Sequence, residues 1–370
     1  MKFTVAKKEL LRVLDLAAGA IADIPLTPAL KGVCLTASRK DIRVEATNNE
    51  VALIAAADGK VERPGTLLID AKWLRDATRG VEDDVTLDVK ELRFTMTSGA
   101  AVYRGACLDP AEFPTLNADA TKDGVVMPAR TLARMLKATA FAANDPKERP
   151  ELACVCLSGD GDGMTAMAAD GHRLARASFE GGNGLPQILI PSSRIDLLVR
   201  VLDGAADDAM ATVSKVHGAA RVEVPGVTVS AQEVAAAYPN LTSVIPTEDR
   251  WTGTVLVEGS GLLAALRRMK SVGATGKDNC AQVDLDVKAD RIDLTATGPN
   301  GDAAESVEAE YDGAPMVVRA ATDYVIDAIA AVGGDEAAVE LRVIDPESVV
   351  MVREAGATDR MCLVMPMRIL

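Results

Sequence analysis

The side chains that catalysis would need are few in this chain of 370 residues, and they are scattered. It has two histidines, His172 and His217, and the second lies in the turn-like stretch Lys215-Val216-His217-Gly218. The pair Ser192-Ser193 opens a predicted helix, where serine is a favoured cap. The sequence contains neither a Walker loop nor a GxGxxG motif. No poised catalytic constellation is visible, and we predict a protein that is not an enzyme.

The residues that could bind a metal are equally sparse. Asp160-Gly161-Asp162-Gly163 has the acidic spacing of a calcium loop. It lacks the Glu that such a loop places at its twelfth position, so a hairpin turn explains it better. The cysteines include no CxxC pair, and the two histidines complete no zinc pattern. We interpret the cysteines as small buried hydrophobes in a reducing compartment, and we predict no metal and no cofactor. The cysteines are Cys34, Cys107, Cys154, Cys156, Cys280 and Cys362.

Length and composition indicate a large aliphatic core. Hydrophobic residues make up 48% of the chain and aromatic residues only 3%. The length exceeds that of one ordinary core and suggests two or three domains. No apolar run is long enough to span a membrane, and the start MKFTVAKKEL lacks the apolar region of a signal peptide. We therefore expect a cytoplasmic protein.

A repeat within the sequence organises the chain. The pattern Pro-x-Leu-x-x-Val-Cys-Leu occurs at 28–35 and again at 150–157, and a fainter third copy opens with VLVEGSGLLAAL at Val255. Each copy holds two strand-then-helix segments. The remainder alternates apolar and polar residues with the period of antiparallel strands. We predict three α+β domains, near 1–122, 123–250 and 251–370.

The net charge of -14, taken alone, argues against nucleic acid as a partner. The distribution of the charges along the chain changes that interpretation. Five of the six predicted helices (7–21, 71–79, 129–141, 192–202 and 260–270) carry net positive charge, whereas helix 322–332 is net negative. The polar face of any amphipathic helix is charged, but that does not explain the segregation. A basic lining suits a phosphate backbone held without reading its bases. The predicted DNA-facing residues are Lys72, Arg75, Arg79, Arg130, Arg134, Lys137, Arg194, Arg200, Arg267, Arg268 and Lys270.

Short motifs along the whole chain connect it to a known family. They are MKFTV at the start, RPELACVCL from Arg149, DGHRLARA from Asp170, YPNL from Tyr238 and VMPMRIL at the end. Each motif is modest alone, but their order and spacing together are specific. In these features the chain resembles the bacterial DNA polymerase III beta subunits, which are sliding clamps.

The resemblance implies a ring. Two chains would join head to tail, each with three DNA-clamp domains, with antiparallel sheets outside and two helices per domain inside. Duplex DNA would thread through the hole without sequence preference, and another protein's ATP would drive loading. The homodimer joint would involve the strand around Tyr103 and, facing it, the helix end from Met269 to Val272.

The resemblance also implies a cleft for short peptides rich in Gln and Leu or Phe. The DNA polymerase catalytic subunit, repair polymerases and the clamp loader would insert such peptides, so the clamp would act as a processivity factor. Taken individually, His172 could be a structural histidine, Arg173 a surface ion-pair partner, and Met365 and Met367 core residues. The implied cleft residues are Leu152, Gly171, His172, Arg173, Leu174, Pro239, Val244, Val349, Leu363, Met365, Pro366, Met367 and Arg368.

The cleft motif occurs in one repeat only. The first repeat has Asn48-Asn49-Glu50-Val51-Ala52 where the second has Asp-Gly-His-Arg-Leu, so the motif indicates function on one domain. Some positions depart from the family pattern, and they leave the peptide preference open. Ala169 replaces a usual Thr, Ser243 and Val349 stand where well-known members have Arg and Ser, and Ile369-Leu370 follow the last Arg where many members have a single residue.

A second function stays open at this point. The loop Ala22-Asp23-Ile24-Pro25 lacks an Arg that some family members direct at DNA. The alternative is therefore a peptide-binding adaptor of the replication machinery that does not encircle DNA.

Overall fold

The protein is described by a computed structural model that covers residues 1–22, 24, 26–39, 41–116, 123–143, 149–161, 163–272, 281–299 and 301–368. Predictions that concern Asp23, Pro25, Asp162, Cys280 and the terminal pair 369–370 lie outside these residues.

Six α-helices lie in the described part of the chain, and all begin within one residue of the predicted start. They are α1 Lys7–Ala17, α2 Ala71–Gly80, α3 Ala129–Ala140, α4 Ser192–Asp203, α5 Gly259–Lys270 and α6 Thr322–Ala331. Only α1 is clearly shorter than predicted, because a 3-10 turn over Ala18–Ala20 replaces its last part. Gly19 within that turn is a poor helix former.

The strands fill the rest of each repeat, as the period-two pattern predicted. They are β1 Lys2–Val5, β2 Gly32–Ala37, β3 Ile42–Thr47, β4 Val51–Ala57, β5 Gly59–Arg63, β6 Gly65–Asp70, β7 Val85–Lys90, β8 Arg93–Ser98, β9 Ala101–Ala106, β10 Val125–Pro128, β11 Cys154–Asp160, β12 Gly163–Ala169, β13 Arg173–Glu180, β14 Ile188–Pro191, β15 Met210–Val216, β16 Ala219–Val224, β17 Val227–Gln232, β18 Gly253–Glu258, β19 Gln282–Lys288, β20 Arg291–Gly298, β21 Gly301–Tyr311, β22 Met316–Ala321, β23 Ala338–Val343, β24 Val350–Glu354 and β25 Arg360–Val364.

One compact unit comprises Met1–Ala133 and Ser193–Glu233. It contains an antiparallel sheet of order β5-β1-β7-β8-β9 and a second of order β10-β15-β16-β17-β4-β3-β2-β6. Helices α1 and α2 bury their apolar faces through residues such as Leu10, Leu14 and Leu74. The core is aliphatic, as the composition predicted.

The other compact unit comprises Arg134–Ser192 and Val234–Leu370. Its single antiparallel sheet has the order β14-β11-β12-β13-β25-β24-β23-β18-β21-β20-β19-β22. The last strand, β25, lies between β13 and β24, with Leu363 opposite Leu174. A continuous sheet therefore joins the DGHRL stretch to the end of the chain. The domain boundaries at 122 and 250 remain a prediction.

The segments that close the first two repeats pack across matched positions of their sheets. Phe113 packs against Cys34 and Leu68, which are directly opposite each other on β2 and β6. Tyr238 packs in the same way against Cys156 and Leu189 on β11 and β14. Burial there raises the pKa of the Cys34 thiol to about 11 and also raises the pKa of the Tyr238 hydroxyl. Those two cysteines are buried small hydrophobes, as predicted.

The third repeat has a different pair at the matched positions. Asp284 on β19 lies opposite Arg319 on β22, and the two side chains form a pair of hydrogen bonds of 2.6 and 2.7 Å. Both side chains are about one quarter exposed. The two charges compensate each other, so a pair of polar side chains is tolerated where the first two repeats have an apolar pair.

One hairpin turn carries backbone strain. Glu91 and Leu92 join β7 to β8, and both have positive φ, 49° and 58°. Such two-residue turns favour Asn-Gly, because left-handed backbone is costly for other residues. We expect Glu91→Asn combined with Leu92→Gly to raise the free energy of unfolding by about 1 kcal/mol in urea unfolding. Leu92→Ala, which keeps a Cβ at that position, should give no such gain; an equal gain there would contradict the strain argument.

Candidate functional site

The DGHR stretch forms a tight turn between β12 and β13. The Asp170 carboxylate accepts the backbone N–H groups of His172 and Arg173 at 2.8 and 2.9 Å. Gly171 has φ of +94°, a conformation that glycine adopts without strain. The turn therefore holds His172 at the surface and brings Arg173 to the start of β13.

The Arg173 side chain is held in place by hydrogen bonds and ring contacts. Its Nε donates to Asp170 at 3.0 Å, and a terminal nitrogen donates to Asp327 of α6 at 2.6 Å. Its guanidinium lies 4.5 Å from the Tyr324 ring centroid and 5.1 Å from that of Phe141. His172 also stacks on Tyr324 at 6.3 Å. Arg173 is therefore an ion-pair partner of two carboxylates.

The C-terminal tail is tied to this turn by its backbone. Met365 N–H donates to the carbonyl of His172 at 2.8 Å, and Met367 N–H donates to the carbonyl of Arg319 at 2.7 Å. Val364 is buried as the last strand residue, whereas Met365 is 45% exposed. Arg368 is exposed, and Pro366 lines a small apolar cavity of about 30 Å³ behind the tail. The tail is therefore an ordered apolar surface.

An apolar cluster lies beneath the turn and the tail. Leu174 and Leu363 form its buried part together with Ala169, and Val349 packs against it. Ala169 is buried in this cluster, so a side chain without a hydroxyl leaves no polar group to satisfy there. Leu241, Ile245 and Trp251 cover part of the same cluster.

The remaining predicted cleft residues lie outside the apolar cluster beneath the turn and the tail. Leu152 is buried and is not a member of that cluster. Pro239 is exposed, and Val244 is 53% exposed. The Ser243 hydroxyl donates to the carbonyl of Asn240 at 2.8 Å. The structure thus brings together the residues of the turn, the tail and the cluster, and leaves Val244 as an apolar side chain open to solvent.

Sequence reasoning missed three side chains that contact Arg173: Phe141, Tyr324 and Asp327. The available signal was the negative charge of α6 among otherwise basic helices. Asp323 of α6 pairs with Lys270 at 2.5 Å, and Asp327 pairs with Arg173. The acids of α6 are therefore internal ion-pair partners.

The basic helix residues are mostly exposed but paired with carboxylates of the same chain. Arg79 bonds Asp15 at 2.6 Å, and Arg134 lies 3.4 Å from Asp359. Arg130 pairs with Asp207, Arg194 with Glu50 and Arg268 with Glu305. Surface pairs of this kind contribute only about 0 to 1 kcal/mol, so an incoming phosphate can compete for the cations.

The residues predicted at the dimer interface differ in exposure and in their surroundings. Tyr103 belongs to β9, the edge strand of its sheet, and meets Trp73 edge-on at 6.2 Å. An open pocket of about 790 Å³ separates α2 from β9 there. Val272 is partly exposed just after α5. Met269 is 3% exposed, so its side chain belongs to the buried face of α5 and is not available for contact with a second chain.

The described residues contain no cluster of His, Cys, Asp or Glu placed to hold a metal ion. Within the same residues, no helix is both long and apolar enough to cross a membrane.

Comparison with known proteins identifies three consecutive domain families. Residues 1–117 match the N-terminal domain of the DNA polymerase III beta subunit, 126–240 match its central domain, and 242–368 match its C-terminal domain. The chain is 26% identical to the beta sliding clamp of Caulobacter vibrioides and 25% identical to that of Escherichia coli K12, each over 100% of both chains. The crystal structure of the DNA polymerase III subunit beta from Pseudomonas aeruginosa matches all of both chains with a TM-score of 0.90 and 24% identity.

Proposed function

Because the chain belongs to the DNA polymerase III beta subunit family, it is a non-catalytic DNA sliding clamp, and we propose that it works as a dimeric ring with one peptide groove per protomer. The match of all three domains in order along one chain carries this conclusion. The family implies DNA and a DNA polymerase as partners. The adaptor alternative is not favoured, since the likeness to clamps covers the entire chain.

The DNA surface in this proposal is the set of basic helix residues named above. Their side chains are charged and mostly exposed, and none belongs to a base-reading motif. The weak ion pairs with neighbouring carboxylates keep them oriented and can yield to phosphates. Contact of this type holds DNA without sequence preference and allows sliding.

The peptide groove in this proposal is the surface formed by the Asp170–Arg173 turn, the tail 365–368 and the apolar cluster around Leu174 and Leu363. Exposed Met365 and Val244 offer apolar contact to a Leu or Phe side chain. Methionine re-packs around different side chains, which suits a surface that accepts peptides from several polymerases and the clamp loader.

The ring joint in this proposal pairs two open strand edges. The outer edge of β9 has no partner strand in the described part of the chain, and β21 is paired on only one side between residues 301 and 308. Basic Arg93 and Arg104 lie on β8 and β9, while acidic Asp302 and Glu308 lie on β21. Pairing the edge of β9 with that of β21 in a second copy would cover both edges and match opposite charges.

Retention on DNA tests the ring directly. We expect protein loaded onto nicked circular DNA by a clamp loader to stay bound through gel filtration, and to leave once the circle is cut, because a closed ring escapes only over an end. Protein mixed with circles without the loader should not be retained. Equal loss from circles and linear DNA would refute encirclement.

A further inference from the structure

We propose that Asp15 limits how tightly the basic face of α2 holds a DNA phosphate, so that contact with DNA stays weak enough for sliding. This inference rests on the proposed DNA surface and names the residue that sets the strength of its contact. Asp15 lies on α1, and its carboxylate faces arginines that we place at that surface.

The cations of α2 lie on one face of the helix. Lys72, Arg75 and Arg79 are three and four residues apart, the spacing that brings side chains to one side of an α-helix. The Arg79 side chain is 51% exposed and that of Arg75 is 26% exposed. A phosphate backbone that reaches this face therefore meets several cations at once, each able to form a charge-assisted hydrogen bond.

An open pocket of about 340 Å³ between α1 and α2 gives a phosphate room beside Arg75. Its lining includes Lys31 and Lys72, and neither forms an ion pair in the part of the chain that the structure describes. The carboxylate in the same lining, Asp70, accepts the backbone N–H of Trp73 at 2.7 Å as the cap of α2. Three cations and one carboxylate leave this pocket with a surplus of positive charge.

Asp15 reduces that surplus from the side of α1. Its carboxylate accepts a hydrogen bond from Arg79 at 2.6 Å and lies 4.0 Å from the Nε of Arg75. That Nε is buried and has no hydrogen-bond partner among the described residues. A terminal nitrogen of Arg200, on α4, lies 3.5 Å from the backbone carbonyl of Asp15. The carboxylate thus competes with phosphate for two arginines of α2, and removing its charge leaves the carbonyl that Arg200 contacts in place.

The consequence of this competition is a weaker hold on DNA. Each phosphate that a cation neutralises adds to the affinity and to its salt dependence. A ring that slides must break and re-form these contacts, so cations that Asp15 partly neutralises slow it less. Asp15 is 46% exposed, and its pair with Arg79 is therefore weak enough for a phosphate to displace it. Encirclement already retains the protein on DNA, so tight phosphate contact adds nothing to retention.

The test follows single fluorescently labelled protein molecules that a clamp loader has placed on long duplex DNA, and it measures their diffusion along the DNA. For Asp15→Asn we expect diffusion to slow about fivefold at about 50 mM salt, because Arg75 and Arg79 become available to phosphates. The difference should shrink to less than about twofold at about 200 mM salt, where counterions compete for the same phosphates. Asp15→Glu keeps the carboxylate and should diffuse like the wild type.

The matched control is Asp88→Asn. Asp88 lies on β7, is 33% exposed and pairs with Arg63 of β5 at 2.5 Å. The control therefore removes an exposed, paired carboxylate and changes the net charge equally, but it does so away from the basic helices. We expect its diffusion to match that of the wild type at both salt concentrations.

The outcomes separate this inference from the proposed function. If Asp15→Asn diffuses as fast as the wild type at low salt, or if Asp88→Asn slows as much, Asp15 does not limit the contact. Faster diffusion of Asp15→Asn would also overturn the inference, because Asp15 would then orient the arginines towards DNA. If the wild-type protein cannot be loaded at all, the proposed function itself is wrong. Slowing that is confined to Asp15→Asn and disappears at high salt supports the inference, since a folding defect would not respond to salt in this way.

Discussion

Replacing Val102 with proline should convert the proposed dimer into monomers and abolish the expected retention on circular DNA. The hairpin of β8 and β9 closes with Ser98 opposite Ala101, so the alternation of the ladder turns the N–H and carbonyl of Val102 outward. Proline removes that N–H and places a ring where a partner strand would lie. The loss of edge hydrogen bonds and the clash together should weaken the dimer by at least about 100-fold.

The matched control is Val102→Ala, which removes the exposed side chain but keeps the N–H. We expect it to remain a dimer in equilibrium sedimentation. The internal ladder of β8 and β9 should survive in both variants, because proline is tolerated on an edge strand where the N–H faces solvent. If Val102→Pro still sediments as a dimer, the joint does not run along β9.

Local patterns predicted the local structure of this chain well. The helices were predictable because their apolar residues recur at helical spacing, and the two-residue turns at Ala289-Asp290 and His217-Gly218 were predictable from their turn residues. The end of α1 was not predictable from its apolar pattern alone, since that pattern continues through residue 21.

The faint third repeat has a physical explanation that the sequence did not offer. Only the sheet register shows that Asp284 and Arg319 occupy the positions of Cys34 and Leu68. The apolar pairs of the first two repeats are covered by Phe113 and Tyr238, which lie near the end of each repeat. The charged pair replaces the Cys–Leu match that the first two repeats share, so the sequence pattern fades in the third repeat while the strand pairing persists.

The contacts that hold the Arg173 side chain could not be predicted from the sequence, for a different reason. Its partners are Phe141, Asp170, Tyr324 and Asp327, and only Asp170 is near it in sequence. No spacing rule links residues so far apart, and the pairing depends on how α6 packs within its unit. The motif identified the turn, and the structure supplied the contacts that fix its side chain.

Ending the chain before Met365 should reduce affinity for a Gln-Leu-Phe peptide by at least about 100-fold while leaving the dimer intact. The truncation removes the exposed Met365 and both backbone hydrogen bonds that hold the tail against His172 and Arg319. Loss of one apolar wall, about 1.5 to 3 kcal/mol per buried side chain, accounts for a change of this size. The proposed joint at β9 and β21 involves no tail residue, so sedimentation should still report a dimer.

A shorter truncation after Arg368 is the matched control, since it keeps Met365 and both tail hydrogen bonds. We expect its peptide affinity to stay within a few fold of the full chain. A large loss in this control would assign binding to the last two residues, whereas an unchanged affinity in the longer truncation would remove the tail from the site. The backbone of Met365 is held by one hydrogen bond to His172 while its side chain is 45% exposed, so a peptide can cover that side chain without displacing the tail.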